Sequence, residues 1–200
     1  MNDKLEYSLT KNKILGEVLF SESEIKKRTI ELGSEITKDY AGKDLLVISV
    51  LRGGVIFLVD LIKNIDIPLS VDFISIATYG IGGTSTGVVR ITKDLEEAIE
   101  NKDVLIVEDI IDTGLTISYL LRNLESRFPK SIGICTLLDR DIRRIADIKI
   151  KYIGFKIGEK YIVGYGMDYK QKFRNLKSIY ALKTDTVEKD IESIKHTASL

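Results

Sequence analysis

The sequence predicts an α/β fold: a mainly parallel twisted sheet, helices on its faces, and a small accessory lobe. Two observations carry this. "LLVISVL", "DVLIVEDI" and "SIGICTLLD" are short continuous apolar runs, the pattern of strands buried on both faces. The first two are each followed by helical spacing, at Leu58, Leu61, Ile62 and Ile65, and at Leu120, Leu121, Leu124 and Phe128. Strands alternating with crossover helices build a parallel sheet with helices on both sides. Ligands in such sheets bind beyond the carboxyl ends of the strands. The loops that begin at Arg52, Tyr79, Glu108 and Asp139 are therefore expected near one another.

Taken in order, the first clear element is a helix from about Ser21 to Tyr40. Ser21 and Glu24 form a capping-box pattern, with Phe20 and Ile25 placed for a hydrophobic staple. Ile25, Leu32, Ile36 and Tyr40 share one face, and Gly42 is expected to close the helix. "LLVISVL", the turn "RGG" and the helix "VIFLVDLIKNI" follow. "VDFISIATYG" is a β-branched strand that runs into the glycine- and hydroxyl-rich loop "IGGTSTG", from which "VVRIT" returns. After Asp139 the pattern changes. "YIGFKI", "YIVGYGMD" and "SIYALK" read as an accessory hood lobe, shared with the N-terminal segment. Residues 1–183 are expected to form one domain, with the hood drawn from the N-terminal segment and about 140–183. Residues 184–200 read as a polar tail, in which Val187, Ile191 and Ile194 suit one short amphipathic helix or disorder.

Bulk properties narrow the chemistry. With 200 residues, 44% hydrophobic and 30% charged, the chain can bury a full core. Lys plus Arg equals Asp plus Glu, so there is no global charge to draw nucleic acid or an anionic membrane. Cys135 stands alone in an apolar run and reads as a small buried hydrophobe; His196 is the only histidine. A disulfide framework, a cysteine metal site and Cys–His or Ser–His catalysis are thereby disfavoured, and acid–base work falls to carboxylates or lysines. The first residues, "MNDKLEYSL", lack the apolar core of a signal peptide, and no apolar run is long enough for a membrane span. A reducing cytoplasm is the expected location.

The stretch that carries chemistry is "VLIVEDIIDTGLT", Val104 to Thr116. A helix that begins near Leu115 offers free N–H groups and a positive dipole end, Gly114 allows a tight approach, and Thr113 and Thr116 add hydroxyls. That is a phosphate cradle. It is neither a Walker loop, which needs a following Lys, nor the three-glycine dinucleotide fingerprint. Glu108 and Asp109 suit the two hydroxyls of a ribose or an Mg²⁺ ion. Asp112 suits a helix cap or a general base.

This stretch resembles the phosphoribosyl-diphosphate (PRPP) motif of the type I phosphoribosyltransferases, in the wording of their hypoxanthine–guanine branch. "VLRGG" resembles that family's diphosphate loop and "VDFISIATYGIGGTSTG" its mobile lid. "LLDR", "YIVGYGMDY" and "FRNL" resemble its purine-binding and C-terminal signatures. All come in family order across roughly residues 14–183. The resemblance implies the type I phosphoribosyltransferase fold and a purine-salvage enzyme. Such an enzyme joins PRPP to a 6-oxopurine, hypoxanthine and guanine, and yields a nucleoside 5′-monophosphate and pyrophosphate with Mg²⁺. It also implies a homo-oligomer, dimer or tetramer, with neither nucleic acid nor membrane as partner.

Position by position, the resemblance assigns Glu108 and Asp109 to the ribose hydroxyls and to Mg²⁺. It assigns Asp112 to the purine N7 proton as general base. The backbone of Asp112, Thr113, Gly114, Leu115 and Thr116 takes the 5′-phosphate. Arg52, Gly53 and Arg174 take the diphosphate, and a cis peptide is implied between Leu51 and Arg52. Thr78 and Tyr79 open the lid, which shuts over the reacting centre and excludes water. Tyr161 stacks on the purine, Ile162 reads its edge, and Asp168 is both purine-proximal and a ligand of a second Mg²⁺. Arg140 donates to the 6-oxo group.

The chain departs from the family's usual pattern at Arg52 and Arg140, where Lys is common. Arg140 keeps a donor but as a bulkier planar fork, which leaves the order of preference among hypoxanthine, guanine and xanthine open. Two rival functions remain at this level. One is a xanthine-preferring transferase. The other is a nucleic-acid-binding regulator on the same fold that senses PRPP, for which the basic stretch from Arg140 to Lys160 is the supporting feature.

Overall fold

The computed structural model describes residues 13–79 and 88–185. The lid loop "GIGGTSTG", the first twelve residues and the tail beyond 185, with His196, lie outside the described residues. For Thr78 and Tyr79 the backbone alone is described.

Strand β1 (Leu15–Phe20) leads into helix α1 (Glu22–Asp39). The capping box forms as expected: the Ser21 hydroxyl accepts from the Glu24 N–H at 3.3 Å, and the Ser21 N–H donates to Glu24 Oε2 at 2.8 Å. The helix closes at Tyr40 rather than at Gly42. Gly42 lies two residues beyond in the left-handed region, where it reverses the chain toward the next strand. Strand β2 (Leu45–Leu51), helix α2 (Val55–Ile62), strand β3 (Leu69–Tyr79) and strand β4 (Val88–Lys93) follow. Then come β5 (Asp103–Ile111), α3 (Leu115–Glu125), β6 (Ser131–Asp139), β7 (Tyr152–Lys156), β8 (Ile162–Val163) and β9 (Ile179–Leu182).

The main sheet has six strands in the order β4-β3-β2-β5-β6-β7. All its neighbours are parallel except β4, which returns antiparallel along β3. Continuous apolar runs demand cover on both faces, and they receive it. Leu45, Val47, Leu105 and Val107 pack with Ile25, Leu32, Ile36, Phe57, Leu58 and Leu61 of α1 and α2. Leu46, Ile48, Val104 and Ile106 pack with Ile117, Leu120 and Leu124 of α3. Each such buried Leu, Ile or Val contributes roughly 1.5–3 kcal/mol. Cys135 is fully buried in the first cluster, and burial pushes its thiol up, far from a reactive state.

"YIGFKI" is not part of the accessory lobe. It forms β7 and pairs parallel with β6 in the main sheet, Cys135 opposite Tyr152 and Leu138 opposite Phe155. Arg28 on α1 holds this edge, donating to the carbonyls of Gly154 and Ile153 at 3.2 and 2.9 Å. The short length of the run hid the assignment, because what places it is a partner strand. The hood is a three-stranded sheet in the order β1-β9-β8, which joins the N-terminal strand to the two last ones. Tyr165, between β8 and β9, donates to Asp60 Oδ2 of α2 at 2.8 Å and ties hood to body.

From β2 the chain moves one way along the sheet, to β3, and then resumes on the other side at β5. The reversal lies between β2 and β5. At their carboxyl ends the loops part to opposite faces and leave the crevice in which doubly wound sheets hold ligands.

Candidate functional site

Two groups of side chains meet at this crevice. The first gathers around the turn after β2. The Leu51–Arg52 peptide is cis. Gly53 lies hard against the end of β5: a Cβ at this position would stand 1.7 Å from Asp109 Oδ2. From the hood, Gly166 meets the same turn, and its own Cβ would stand 2.2 Å from the Gly53 carbonyl oxygen. Both glycines are therefore required by close approach. Arg52 donates to Gln171 Oε1 at 3.1 Å. Arg174 donates to the same oxygen at 3.2 Å, to the Gly166 carbonyl at 2.8 Å and to Asp168 Oδ1 at 2.6 Å. The Gln171 N–H caps the other Asp168 oxygen at 2.8 Å. Arg52, Gly53, Asp109, Asp168 and Arg174, far apart in sequence, thus form one network.

The second group surrounds Asp112, just past β5. Gly114, at φ 79°, turns the chain into α3, where the first N–H groups have no helical acceptor. Among the described residues the Leu115 N–H reaches only the Thr113 hydroxyl, at 3.5 Å. The turn is held from behind, because the Thr113 carbonyl accepts from Ile145 and Ala146 at 2.9 and 3.1 Å. Asp112 Oδ2 receives Arg140 at 3.1 Å and Arg143 at 3.2 Å. Its Oδ1 is buried and has no hydrogen-bond partner among the described residues. Arg144 donates to the Asp112 carbonyl at 3.0 Å and pairs with Asp139.

Burial governs the carboxylates at the end of β5. It pushes the Glu108 carboxyl well above the usual range, and neighbouring Asp109 adds to this. Burial raises Asp109 too; N–H groups and Arg174 partly oppose the rise, and Asp168 reinforces it. Asp109 and Asp168 are thus near enough to sense each other, with Arg174 between their demands. No group of three His, Cys, Asp or Glu side chains gathers as a metal cage among the described residues. The donor set suits a hard cation that keeps water and substrate oxygens in its shell, as Mg²⁺ does.

Arg140 is 5% exposed and Tyr161 is 50% exposed. Ile162 stands in β8 opposite Ala181, close along the chain to the loop that Arg140 holds. Thr116 is half-buried in the first turn of α3. Sequence reasoning missed Gln171, Gly166, Arg143 and Arg144. The "RR" pair just after Arg140 was a visible signal, whereas the bridging role of Gln171 depends on a backbone in the left-handed region, at φ 63°, which no local pattern announces.

Comparison with known proteins agrees with this geometry. A family model described as a phosphoribosyl transferase domain matches residues 18–170. A hypoxanthine-guanine phosphoribosyltransferase of Staphylococcus aureus is 49% identical over 171 residues, covering 86% of this chain and 96% of the relative. One from Staphylococcus epidermidis is 47% identical, covering 89% and 99%. Among solved structures, a hypoxanthine phosphoribosyltransferase from Staphylococcus aureus superposes with a TM-score of 0.84 at 47% identity, over 93% of this chain and 98% of that one. A Trypanosoma cruzi hypoxanthine phosphoribosyl transferase gives a TM-score of 0.83 at 34% identity, over 90% and 97%. With matches of this extent, and a strand–turn–helix segment at the sheet's reversal point, the chain belongs to the phosphoribosyltransferase family.

Proposed function

We propose that this chain is a purine-salvage transferase. It moves the 5-phosphoribosyl group from PRPP to a 6-oxopurine, hypoxanthine and also guanine, and releases IMP or GMP and pyrophosphate. The names of its relatives support the substrate class. The observation that carries the chemistry is the partnering of Asp112. One carboxylate oxygen is fixed by Arg140 and Arg143, and the other is a buried acceptor left unpartnered by the described residues. Buried acceptors seldom stay unpaired, so this oxygen is suited to a ligand N–H. It is the atom we assign to the purine N7 proton, as general base.

The remaining roles are those the resemblance to the family implies, and the grouping of these residues at the crevice supports them. The N–H groups from Asp112 to Thr116, with the Thr113 and Thr116 hydroxyls, bind the 5′-phosphate. Glu108 and Asp109 bind the ribose hydroxyls. Arg52, Gly53 and Arg174 receive the diphosphate, with Gln171 keeping the two guanidinium groups together. When bound, Mg²⁺ would neutralise charge at the leaving diphosphate; Glu108 and Asp109 would hold one ion and Asp168 a second. Tyr161 and Ile162 flank the base, and Thr78 and Tyr79 begin the lid. Arg140 has five N–H donors, of which the described residues engage three, and we assign a further one to a 6-oxo group.

No helix among the described residues is long and apolar enough to cross a membrane. We place the activity in the cytoplasm and assign a homo-oligomer, dimer or tetramer, which light scattering of the purified chain tests. The decisive assay is formation of IMP from hypoxanthine and PRPP with and without Mg²⁺, with guanine, xanthine and adenine in competition. Efficient use of adenine in place of the three oxopurines overturns the substrate class. Salt-sensitive nucleic-acid binding with no nucleotide formed overturns the enzyme reading.

A further inference from the structure

The loop between β7 and β8 carries exposed residues, Gly158, Glu159, Lys160 and Tyr161, without regular secondary structure. Its ends are fixed: the Ile157 N–H donates to the Asp139 carbonyl at 2.9 Å, and the Tyr161 carbonyl accepts from Leu182 at 2.8 Å. Between them, one buried side chain reaches up from the end of β6. Arg140 donates through Nε to the Gly158 carbonyl at 3.0 Å and through Nη2 to the Lys160 carbonyl at 2.7 Å. Its Nη1 meets Asp112 Oδ2 at 3.1 Å.

Three donors on three sides of one rigid plane thus reach two loop carbonyls and one carboxylate. A guanidinium does this without rearrangement, because its N–H groups diverge in fixed directions. An ammonium, with all donors on one nitrogen, cannot span Gly158, Lys160 and Asp112 together. Asp112 keeps a second cation in Arg143, so removing the Arg140 fork need not leave that carboxylate alone.

We infer that Arg140 is a positioning residue that braces the 158–161 loop against Asp112, and so sets affinity for the base by holding Tyr161 and Ile162 in register with the proton-accepting group. This rests on the proposed function above, and it adds a role distinct from donation to the 6-oxo group. Donation alone would survive a change to Lys; bracing would not.

The experiment is Arg140→Lys in the full chain, with two readouts. In the ligand-free protein, backbone ¹⁵N order parameters at residues 158–161 are expected to fall from the rigid range of about 0.85 to below about 0.6, with α1 and α3 unchanged. In turnover, KM for hypoxanthine is expected to rise about tenfold or more, with KM for PRPP within twofold. Arg143→Lys serves as the comparison and is expected to leave the loop's order parameters unchanged. Rigid loop amides in Arg140→Lys, or an unchanged KM for hypoxanthine, overturn the inference. If the wild-type chain makes no nucleotide, the functional reading fails by itself, while the order parameters still decide whether Arg140 braces the loop.

Discussion

Gly53→Ala is the sharpest perturbation that the site offers. The added Cβ would stand 1.7 Å from Asp109 Oδ2 and 2.6 Å from its Cγ, where real contacts essentially never fall below 3.0 Å. Closing that gap requires the carboxylate or the turn to move by at least about 1.3 Å, the difference between the 3.0 and 1.7 Å separations. Asp109 cannot swing freely, since its other oxygen accepts from the Ile110 N–H at 2.8 Å. The turn cannot lift freely either, because Gly166 packs on the Gly53 carbonyl from the hood. Overpacking of this kind costs about 1–3 kcal/mol. For a chain of this length that lowers Tm by roughly 2–12 °C. A displacement of about 1 Å at a positioning group costs about 10²-fold in rate. The expected result is therefore a folded protein with kcat/KM for PRPP reduced about a hundredfold, read by coupled IMP formation beside a thermal melt. An alanine variant with PRPP kinetics within twofold of wild type would refute the pairing of Gly53 with Asp109 as part of the site.

Four further outcomes are expected. Asp112→Asn should keep PRPP binding by calorimetry and lose about 10²–10⁴-fold in kcat; unchanged turnover removes the general-base role. Mg²⁺ alone should leave Tm unmoved, whereas Mg²⁺ with PRPP raises it by several degrees, because the described residues offer no cage of three ligands; tight binding of Mg²⁺ to the bare chain contradicts this. Tyr165→Phe removes a buried hydroxyl's bond to Asp60 and should cost about 0.5–1.5 kcal/mol in urea denaturation; a stability gain argues against the hood–body tie. Asp72 carries a pH dependence. Burial works against its charge, but the N–H groups of Phe73, Glu96 and Glu97, with Lys93 nearby, win and hold its carboxyl below 3.8. The stability it contributes is full above that value and is lost as pH falls through the lower folded value. Asp72→Asn should therefore be less stable than wild type at pH 7, with the gap closing as pH falls below 3.8; a gap that persists in acid refutes the assignment.

What the sequence determined by itself is local. The stretch from Val104 to Thr116 is a strand, a turn and a helix start in one covalent run, so its glycine turn, its acids and its order are legible without any partner. The capping box at Ser21 and the buried strands β2, β5 and β6 are legible for the same reason: their signals lie within a few residues or in continuous apolar runs. Tertiary structure decided what depends on distant chain. Strand β7 joins the main sheet because β6 offers it an edge, a fact absent from its five residues. Gly53 faces Asp109 because β2 and β5 run parallel in one register, Leu45 opposite Asp103 and Ser49 opposite Val107. Arg140 alone in the sequence is a basic residue after a strand. Only the fold sets it under the 158–161 loop and beside Asp112, because the crossover from β6 to β7 returns that loop to the same end of the sheet. Side-chain direction, strand register and burial are properties of the packed whole, and here they decide which charged groups meet.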